Sequence, residues 1–229
     1  MISQKSPTFK FIDNGYKDLA VLIPGWATDY RIFKPLNLEF NYLVPLTFYP
    51  DTFEKDLLKT LRESKIDKLS LFGWSLGGFL ASSFASRHKE LIDRLILVSI
   101  RKRYGTEELA EIKTHLSKNK RGYLYKFYTQ CFFKKESMRW FRENLLKTYC
   151  EELDLGYLVD SLDYLQNAEI RPELLKPIKK IKIIHGECDR IAPIQEALEI
   201  KNNLPHAEFI SIENTGHMPF LEDGFPGRI

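Results

Sequence analysis

The sequence predicts an α/β protein with a mostly parallel central sheet, helices on both faces and an inserted helical cap. Two observations lead to this prediction. Apolar runs that end at turn residues alternate with amphipathic helices over the first hundred residues. This alternation then stops, and it resumes only near residue 180. A chain of 229 residues is long enough to bury one such core and to carry an insertion.

The first hundred residues contain four continuous apolar runs, as expected of strands that are covered on both faces. These runs are residues 18–24, 42–48, 68–74 and 94–99. Helices are predicted over 51–65 and 76–88, where apolar residues recur at helical spacing or small residues predominate. Asp51 or Thr52 is expected to cap the first helix, because short polar side chains accept hydrogen bonds from the first turn.

Between residues 101 and 170 no convincing strand is visible, and the pattern indicates helices instead. The helices are expected over 106–117, 121–132, 136–150 and 152–166. The α/β pattern resumes with a strand at 180–186, a helix at 192–204 and a strand at 207–214, with no terminal helix of normal length. We therefore expect a core formed by 1–100 and 171–229 and a helical cap formed by 101–170.

Composition excludes several classes of protein. Hydrophobic residues make up 44% and charged residues 28%, which is ordinary for a soluble globular chain. No apolar run approaches the roughly 20 residues of a membrane span, and the first residues lack the apolar stretch of a secretory signal. Cys131, Cys150 and Cys188 are odd in number and match no metal-binding spacing. This predicts a reduced, cytoplasmic protein whose cysteines are small buried apolar residues.

One short motif points to chemistry, the run Gly73-Trp74-Ser75-Leu76-Gly77. A glycine-rich tight turn would have the same composition. Here, however, a predicted strand ends directly before the serine and a predicted helix begins directly after it, which is typical of a nucleophile elbow. Glycines are needed because a Cβ would collide with the neighbouring strand or helix, and the helix N-terminus favours developing negative charge. The sequence therefore favours Ser75 as a nucleophile.

A serine hydroxyl needs a base, and the base needs a carboxylate that orients it. In this architecture the chain order is serine, acid, histidine. His217, in the loop after the last predicted strand, is the expected base, although a packing role is the alternative. Asp189 is the expected acid; Glu187 in the same loop is its rival, and Asp160 and Asp163 in the insertion are weaker candidates. The other histidines are expected in structural or surface positions: His88, His115, His185 and His206.

The reaction also requires backbone donors for an oxyanion. Leu76, directly after the nucleophile, supplies one N–H, and Trp26, after the first buried strand, is expected to supply the other. The alternative for Trp26 is a buried aromatic residue at a strand end. Water would complete the reaction, and no metal or organic cofactor is expected.

Four segments together resemble the α/β-hydrolase fold: Pro24-Gly25-Trp26, Gly-Trp-Ser-Leu-Gly-Gly at 73–78, "HGECDRIAP" at 185–193 and "GHMPF" at 216–220. Within this fold, the elbow and the Gly-Trp loop resemble pimeloyl-[acyl-carrier protein] methyl ester esterase of biotin synthesis. Two departures stand out: the family has His-Gly where this chain has Pro24-Gly25, and the helix that follows the histidine is missing or shortened. The resemblance implies a serine carboxylesterase with an acyl ester as its substrate.

Residues 101–150 carry 13 Lys and Arg against 5 Asp and Glu, a net charge of +8, while the whole chain has +3. A solvated basic face over aromatic residues is one interpretation, and no recognition motif supports nucleic-acid binding. The other interpretation is a cap that covers an acyl channel and, as the resemblance implies, docks an acidic acyl carrier protein. The expected docking residues are Arg121, Lys126, Lys134, Lys135, Arg139 and Arg142.

Two further functions remain open from the sequence. One is a small-molecule carboxylesterase, or a carbon–carbon hydrolase or lyase, because a fold does not determine the substrate. The other is a non-catalytic binding protein with the same architecture. Neither nucleic acid nor a membrane is expected as a partner.

Overall fold

The computed structural model describes residues 8–47 and 49–227, and over these residues its main element is a sheet of seven strands in the order β1-β3-β2-β4-β5-β6-β7. The strands are β1 (Phe9–Ile12), β2 (Leu19–Ile23), β3 (Asn41–Pro45), β4 (Leu69–Trp74), β5 (Ile92–Val98), β6 (Ile181–Gly186) and β7 (Glu208–Ile212). Only β1 pairs antiparallel, with β3, and every other pairing is parallel. The predicted α/β class is confirmed.

Helices connect the strands and cover the sheet. They are α1 (Pro50–Glu63), α2 (Leu76–Arg87), α3 (Thr106–Lys118), α4 (Lys120–Gln130), α5 (Arg139–Phe141), α6 (Lys147–Glu152), α7 (Leu155–Asn167), α8 (Pro172–Leu175) and α9 (Ile194–Asn202). None of the helices within 8–47 and 49–227 is long and apolar enough to cross a membrane.

The parallel strands bring their carboxyl ends to one edge of the sheet. Ile23 pairs with Gly73, and Gly73 pairs with Leu97, so β2, β4 and β5 end side by side. β4 is buried along its whole length, which explains its continuously apolar sequence. The loops after these strands meet at this edge, where ligands of open α/β sheets bind.

Two local predictions need correction. The N-terminal strand β1 is missing from the sequence interpretation because its four residues at the sheet edge are too few for a clear pattern. Helix α1 begins at Pro50 after Tyr49, so Asp51 and Thr52 lie inside the first turn and do not cap it. The end of the strand expected over 42–48 includes residue 48, which lies outside the described residues.

We call residues 101–170 the cap segment. It contains α3 to α7, and in place of the single helix expected over 136–150 it has α5, a π-helical turn at Arg142–Leu146 and α6. An isolated bridge between Arg103 and Glu169 closes the base of the cap segment. Its interior is aromatic: Tyr128 lies 4.9 Å from Phe141 and 6.0 Å from Tyr149, measured between ring centroids. The division into core and cap stays our interpretation.

Candidate active site

Ser75 occupies the turn between β4 and α2, at the edge where the parallel strands end. Its backbone has φ 54° and ψ −119°, a left-handed region that costs energy for any residue with a side chain. The turn is held by the Ser75 N–H, which donates to the Val98 carbonyl at 3.0 Å, and by the Gly78 N–H, which donates to the Ser75 carbonyl at 2.8 Å. A strained serine fixed in this way has the geometry of a nucleophile elbow.

The elbow packs so closely against the end of β2 that glycine is required at 77. A Cβ on Gly77 would lie 2.1 Å from the Ile23 carbonyl oxygen, far inside any real contact. A Cβ on Gly25 would lie 3.1 Å from the Cβ of Ser75. The loop that contains Gly25 and Trp26 therefore lies directly against the nucleophile turn.

The structure brings Ser75, His217 and Asp189 together in one hydrogen-bonded chain. His217 Nε2 lies 2.9 Å from Ser75 Oγ, and His217 Nδ1 lies 2.7 Å from Asp189 Oδ2. The Nδ1–H donates to the carboxylate, which leaves Nε2 free to accept from the serine hydroxyl. All three residues are buried, with exposed fractions of 6%, 0% and 8% respectively. This arrangement can activate a hydroxyl for attack.

Asp189 is held as a carboxylate. Burial alone would raise its pKa, but the charge and hydrogen bond of His217 and the Ala192 N–H lower the pKa of Asp189 below its ordinary value. Its other oxygen, Oδ1, accepts from the N–H groups of Ile191 and Ala192, each at 2.8 Å. Glu187 is exposed on the surface of the same loop, so the carboxylate that contacts His217 is Asp189.

The weaker acidic candidates lie away from this chain. Asp160 and Asp163 are exposed on α7, and Asp163 pairs with Lys113. Both residues belong to the cap segment, as the sequence predicts from the absence of a strand pattern around them.

His185 lies on β6, as expected, and its side chain also contacts the residues of the site. Its Nε2–H donates to the Ala192 carbonyl at 2.7 Å and lies 3.4 Å from Asp189 Oδ2. Burial lowers the pKa of His185, which keeps its imidazole neutral beside the carboxylate. The remaining histidines contact other groups: His88 contacts Glu54, His115 stacks on Tyr123 and His206 contacts the Ile178 carbonyl.

Two contacts that fix the histidine loop were not predicted. The indole N–H of Trp74, directly before the nucleophile, donates to the His217 carbonyl at 2.7 Å. The His217 N–H donates to the Cys131 carbonyl at the end of α4, also at 2.7 Å. The motif indicated that Trp74 belongs to the elbow. The contact of Cys131 could not be predicted, because any residue at that position has the same backbone carbonyl. The side chains of Cys131 and Cys150 are buried, as predicted, whereas that of Cys188 is only half-buried because it lies in the loop after β6.

The expected oxyanion residues flank Ser75. Trp26 follows β2, and Leu76 begins α2 directly after the nucleophile. The side chain of Trp26 is also a buried aromatic, since its indole N–H donates to the Leu158 carbonyl at 2.9 Å and its ring lies 5.0 Å from that of Phe127. The two interpretations of Trp26 are compatible, because one concerns its backbone and the other its side chain.

The six basic residues expected to dock a carrier protein are all exposed on the cap segment. Arg121 lies 3.5 Å from Glu151, and Arg139 lies 3.0 Å from Glu143. Such exposed pairs stabilise the fold little, so these charges remain accessible to a partner. The exposed set is Arg121, Lys126, Lys134, Lys135, Arg139 and Arg142.

No cluster of three or more His, Cys, Asp or Glu within 8–47 and 49–227 has an arrangement that could hold a metal ion.

A model of the alpha/beta hydrolase fold family matches residues 34–155, more than half of the chain. The chain belongs to the alpha/beta hydrolase fold family. A relative from Bacillus subtilis, the AB hydrolase superfamily protein YisY, is 27% identical over 92% of this chain and 89% of its own length. Pimeloyl-[acyl-carrier protein] methyl ester esterases of Nitrosomonas europaea and Yersinia enterocolitica are 28% and 26% identical over 72% and 88% of this chain, and over 72% and 86% of their own lengths.

Solved structures agree on the fold of this alpha/beta hydrolase. The esterase EaEST from Exiguobacterium antarcticum superposes with a TM-score of 0.77 at 20% identity, over 91% of this chain and 87% of its own. A thermophilic esterase from Thermogutta terrifontis has a TM-score of 0.77 at 19% identity, over 93% and 88% of the two chains. Together with the family match, these comparisons confirm the predicted hydrolase.

Proposed function

We propose that this chain is a serine carboxylesterase that hydrolyses the methyl ester of a pimeloyl-acyl carrier protein, as the biotin-synthesis esterases do by name. The observation that carries the catalytic part is the buried hydrogen-bonded chain from Ser75 through His217 to Asp189. A strained serine at a helix N-terminus with an oriented imidazole is the arrangement that ester hydrolysis requires.

In the first half-reaction, Ser75 Oγ attacks the ester carbonyl carbon while His217 Nε2 takes the hydroxyl proton. Asp189 holds the imidazole in the required tautomer and stabilises its charged form. The tetrahedral intermediate collapses as His217 gives the proton to the departing methanol. In the second half-reaction, water attacks the acyl-enzyme with His217 as base, and the free acid leaves.

A negative charge develops on the carbonyl oxygen during the attack. The N–H groups of Leu76 and Trp26 are assigned to stabilise it by hydrogen bonds. The close approach of the Gly25 loop to Ser75 supports this assignment, since a Cβ on Gly25 would lie 3.1 Å from Ser75 Cβ and Trp26 is the next residue in that loop. Losing one such donor costs about 3 kcal/mol of transition-state stabilisation in comparable sites.

The substrate part of the proposal rests on the cap segment. Residues 101–150 of this segment carry the net charge of +8, which suits an acidic carrier, and their exposed Arg and Lys side chains are accessible for steering it. Tyr123 and Phe127 of the cap segment, which are half-buried against Trp26, offer an apolar surface for an acyl chain. The cytoplasmic location predicted from the cysteines belongs to the same proposal, and the free state of all three is compatible with it.

The catalytic part is tested with a fluorophosphonate probe, which phosphonylates activated serines. We expect rapid labelling of the unaltered protein, no labelling of Ser75→Ala, and normal labelling of Ser83→Ala, since Ser83 lies on α2 outside the elbow. A protein that resists the probe would be a non-catalytic binding protein.

The substrate is tested by a direct assay on pimeloyl-acyl-carrier-protein methyl ester beside a short p-nitrophenyl ester. We expect release of methanol from the carrier-bound ester. Turnover of the short ester alone would instead indicate a small-molecule carboxylesterase.

A further inference from the structure

Tyr104 is a tyrosine of the cap segment that the proposed mechanism leaves unused, although it lies at the nucleophile. It stands in the short loop between β5 and α3, one residue before the N-cap Gly105. Its ring packs against Phe79, which lies one helical turn after Ser75 on α2, and the Ser75 side chain acts on its hydroxyl. The Ser75 hydroxyl donates to His217, so an oxygen lone pair of Ser75 remains to accept from the phenol.

Two side chains pack against the ring of Tyr104. Its centroid lies 6.0 Å from the ring centroid of Phe79 on α2, and the guanidinium of Arg101 lies over the ring, 4.4 Å from the centroid. Arg101 is itself anchored by Glu196 and Glu108, at 2.9 Å each. A group with such supports is pre-organised, and a pre-organised donor contributes most to catalysis.

The loop around Tyr104 is tied to the rest of the fold at several points. The Ser99 N–H donates to Ile184, and the Ile170 N–H donates to the Lys102 carbonyl, both at 2.9 Å. The Lys102 ammonium pairs with Glu199 at 2.7 Å. Arg101 also reaches the Ile191 carbonyl, in the segment whose N–H groups bind Asp189. The loop that contains Tyr104 and the loop that holds Asp189 are therefore linked through Arg101 and Ile191.

The strand order decides which side of the nucleophile Tyr104 occupies. Trp26 follows β2, and Tyr104 follows β5, while β4 with Ser75 lies between these two strands. The proposed oxyanion donor and the phenol thus approach Ser75 from opposite sides. His217 follows β7, on the same side as Tyr104. A leaving group that His217 protonates is therefore expected on the side of Ser75 that Tyr104 and His217 share.

We propose that Tyr104 is a further catalytic residue, whose hydroxyl donates a hydrogen bond to the alkoxy oxygen of the ester as the carbon–oxygen bond breaks. This rests on the proposed esterase function. When Ser75 Oγ forms its bond to the acyl carbon, the phenol transfers its hydrogen bond to the alkoxy oxygen on the same carbon. The electron pair of the broken bond goes to that oxygen, which takes the proton that His217 received from Ser75. Tyr104 keeps its own proton.

The environment of the phenol suits a donor that never becomes a base. Burial, opposed by the charge of Arg101, raises the pKa of Tyr104 above its ordinary value, so the hydroxyl remains protonated across the working range of an esterase. The developing charge on an alkoxide is large for methanol and small for p-nitrophenol. The hydrogen bond should therefore matter for alkyl esters and hardly for nitrophenyl esters.

The test is Tyr104→Phe, assayed on a methyl ester and on the p-nitrophenyl ester of the same short acid. The quantity compared is kcat/KM, which covers the steps up to the acyl-enzyme. We expect a loss of about 10-fold or more on the methyl ester and less than about 3-fold on the nitrophenyl ester. Tyr164→Phe, which removes a phenol from another half-buried tyrosine of the cap segment, should change neither.

Equal losses on both esters, or no loss on either, would overturn the role of Tyr104. Both esters are measured on one preparation, so a loss of folded protein lowers both rates together and leaves their ratio unchanged. Fluorophosphonate labelling of the unaltered protein separates the two ideas. Labelling without the leaving-group effect refutes Tyr104 alone, whereas no labelling and no hydrolysis refute the esterase function and Tyr104 with it.

Discussion

The nucleophile elbow and the cap segment differ in how much of their side chains they bury. Residues 69–82, from β4 into α2, are buried without exception, and a Cβ on Gly73 or Gly77 would collide with backbone atoms. In the cap segment, α4 buries only Leu124 and Tyr128 and exposes most of its other side chains. The elbow therefore has a single arrangement, while the cap surface accepts many substitutions. Under the proposed function, the rigid elbow holds the nucleophile, and the variable surface of the cap segment selects the substrate.

The largest effect is expected at the acid. Asp189→Asn keeps the shape of the side chain but donates an N–H toward His217, which favours the wrong tautomer. We expect kcat on any ester to fall by about 10⁴-fold. The lowered pKa of Asp189 also means that the native acid stays charged to a lower pH than an ordinary aspartate does.

The matched control is Glu187→Gln, in the same loop but exposed. It should leave kcat unchanged within about 2-fold, which is the scale of a surface substitution. A large loss in the control would mean that the loop, and not the contact of Asp189 with His217, carries the effect.

The second prediction contrasts a glycine of the elbow with one of the cap segment. Gly77→Ala places a Cβ 2.1 Å from the Ile23 carbonyl oxygen, and neither backbone segment is able to retreat. We expect the free energy of unfolding to fall by about 3 kcal/mol or more. Denaturant titration followed by circular dichroism measures this change.

Gly105→Ala is the counterpart at the start of α3, where the nearest atom to a new Cβ is 3.9 Å away and φ is −74°. Its effect should stay within about 1 kcal/mol. Equal destabilisation by both changes would contradict the view that the elbow is the rigid part.

The third prediction addresses the docking surface. The double change Arg139→Glu and Arg142→Glu reverses two exposed charges of the cap segment. We expect kcat/KM on a carrier-bound ester to fall about 10-fold at low salt, with the short p-nitrophenyl ester unaffected, because steering acts only on the charged carrier.

Lys55→Glu and Lys59→Glu on α1 provide the same charge reversal on an exposed helix of the core. This control should leave both esters unchanged. If the two esters fall equally in the cap variant, or neither falls, the carrier does not dock at these arginines.

The smallest effect concerns Glu222, which accepts from the Gly216 N–H at 2.7 Å beside His217. Burial raises the pKa of Glu222, so the folded state favours the protonated acid. The stability that this protonated group contributes is fully present below the pKa of Glu222 in the unfolded chain. It is lost as pH rises through the raised pKa of Glu222 in the folded chain. Glu222→Gln imitates the protonated form and should raise the melting temperature by about 2 °C at pH 8, but not at pH 4.

Thermal unfolding at the two pH values measures this difference. The exposed Glu213→Gln serves as the control and should show no such pH dependence. A stabilisation that is equal at both pH values would exclude a titration of Glu222 as the cause.

The sequence by itself determined the α/β class, the succession of the buried strands along the chain and the residues that follow those strands. The reason is that a parallel sheet covered on both faces demands continuous apolar runs, and the loops that follow them collect at one edge. Ser75 and Asp189 each follow such a run, and His217 follows the last strand, β7, which is only partly buried. The choice of Asp189 over Glu187 was only a preference until the structure oriented one carboxylate toward His217.

Only the tertiary structure decided the contacts between residues distant in the chain. Cys131 holds the His217 loop through a backbone carbonyl, which any residue would provide, and β1 is an edge strand too short for a pattern. Tyr104 was one aromatic residue among many in a basic segment. Its role depends on a loop tied to β6, α9 and Ile170, and long-range ties of this kind leave no periodic trace in the sequence.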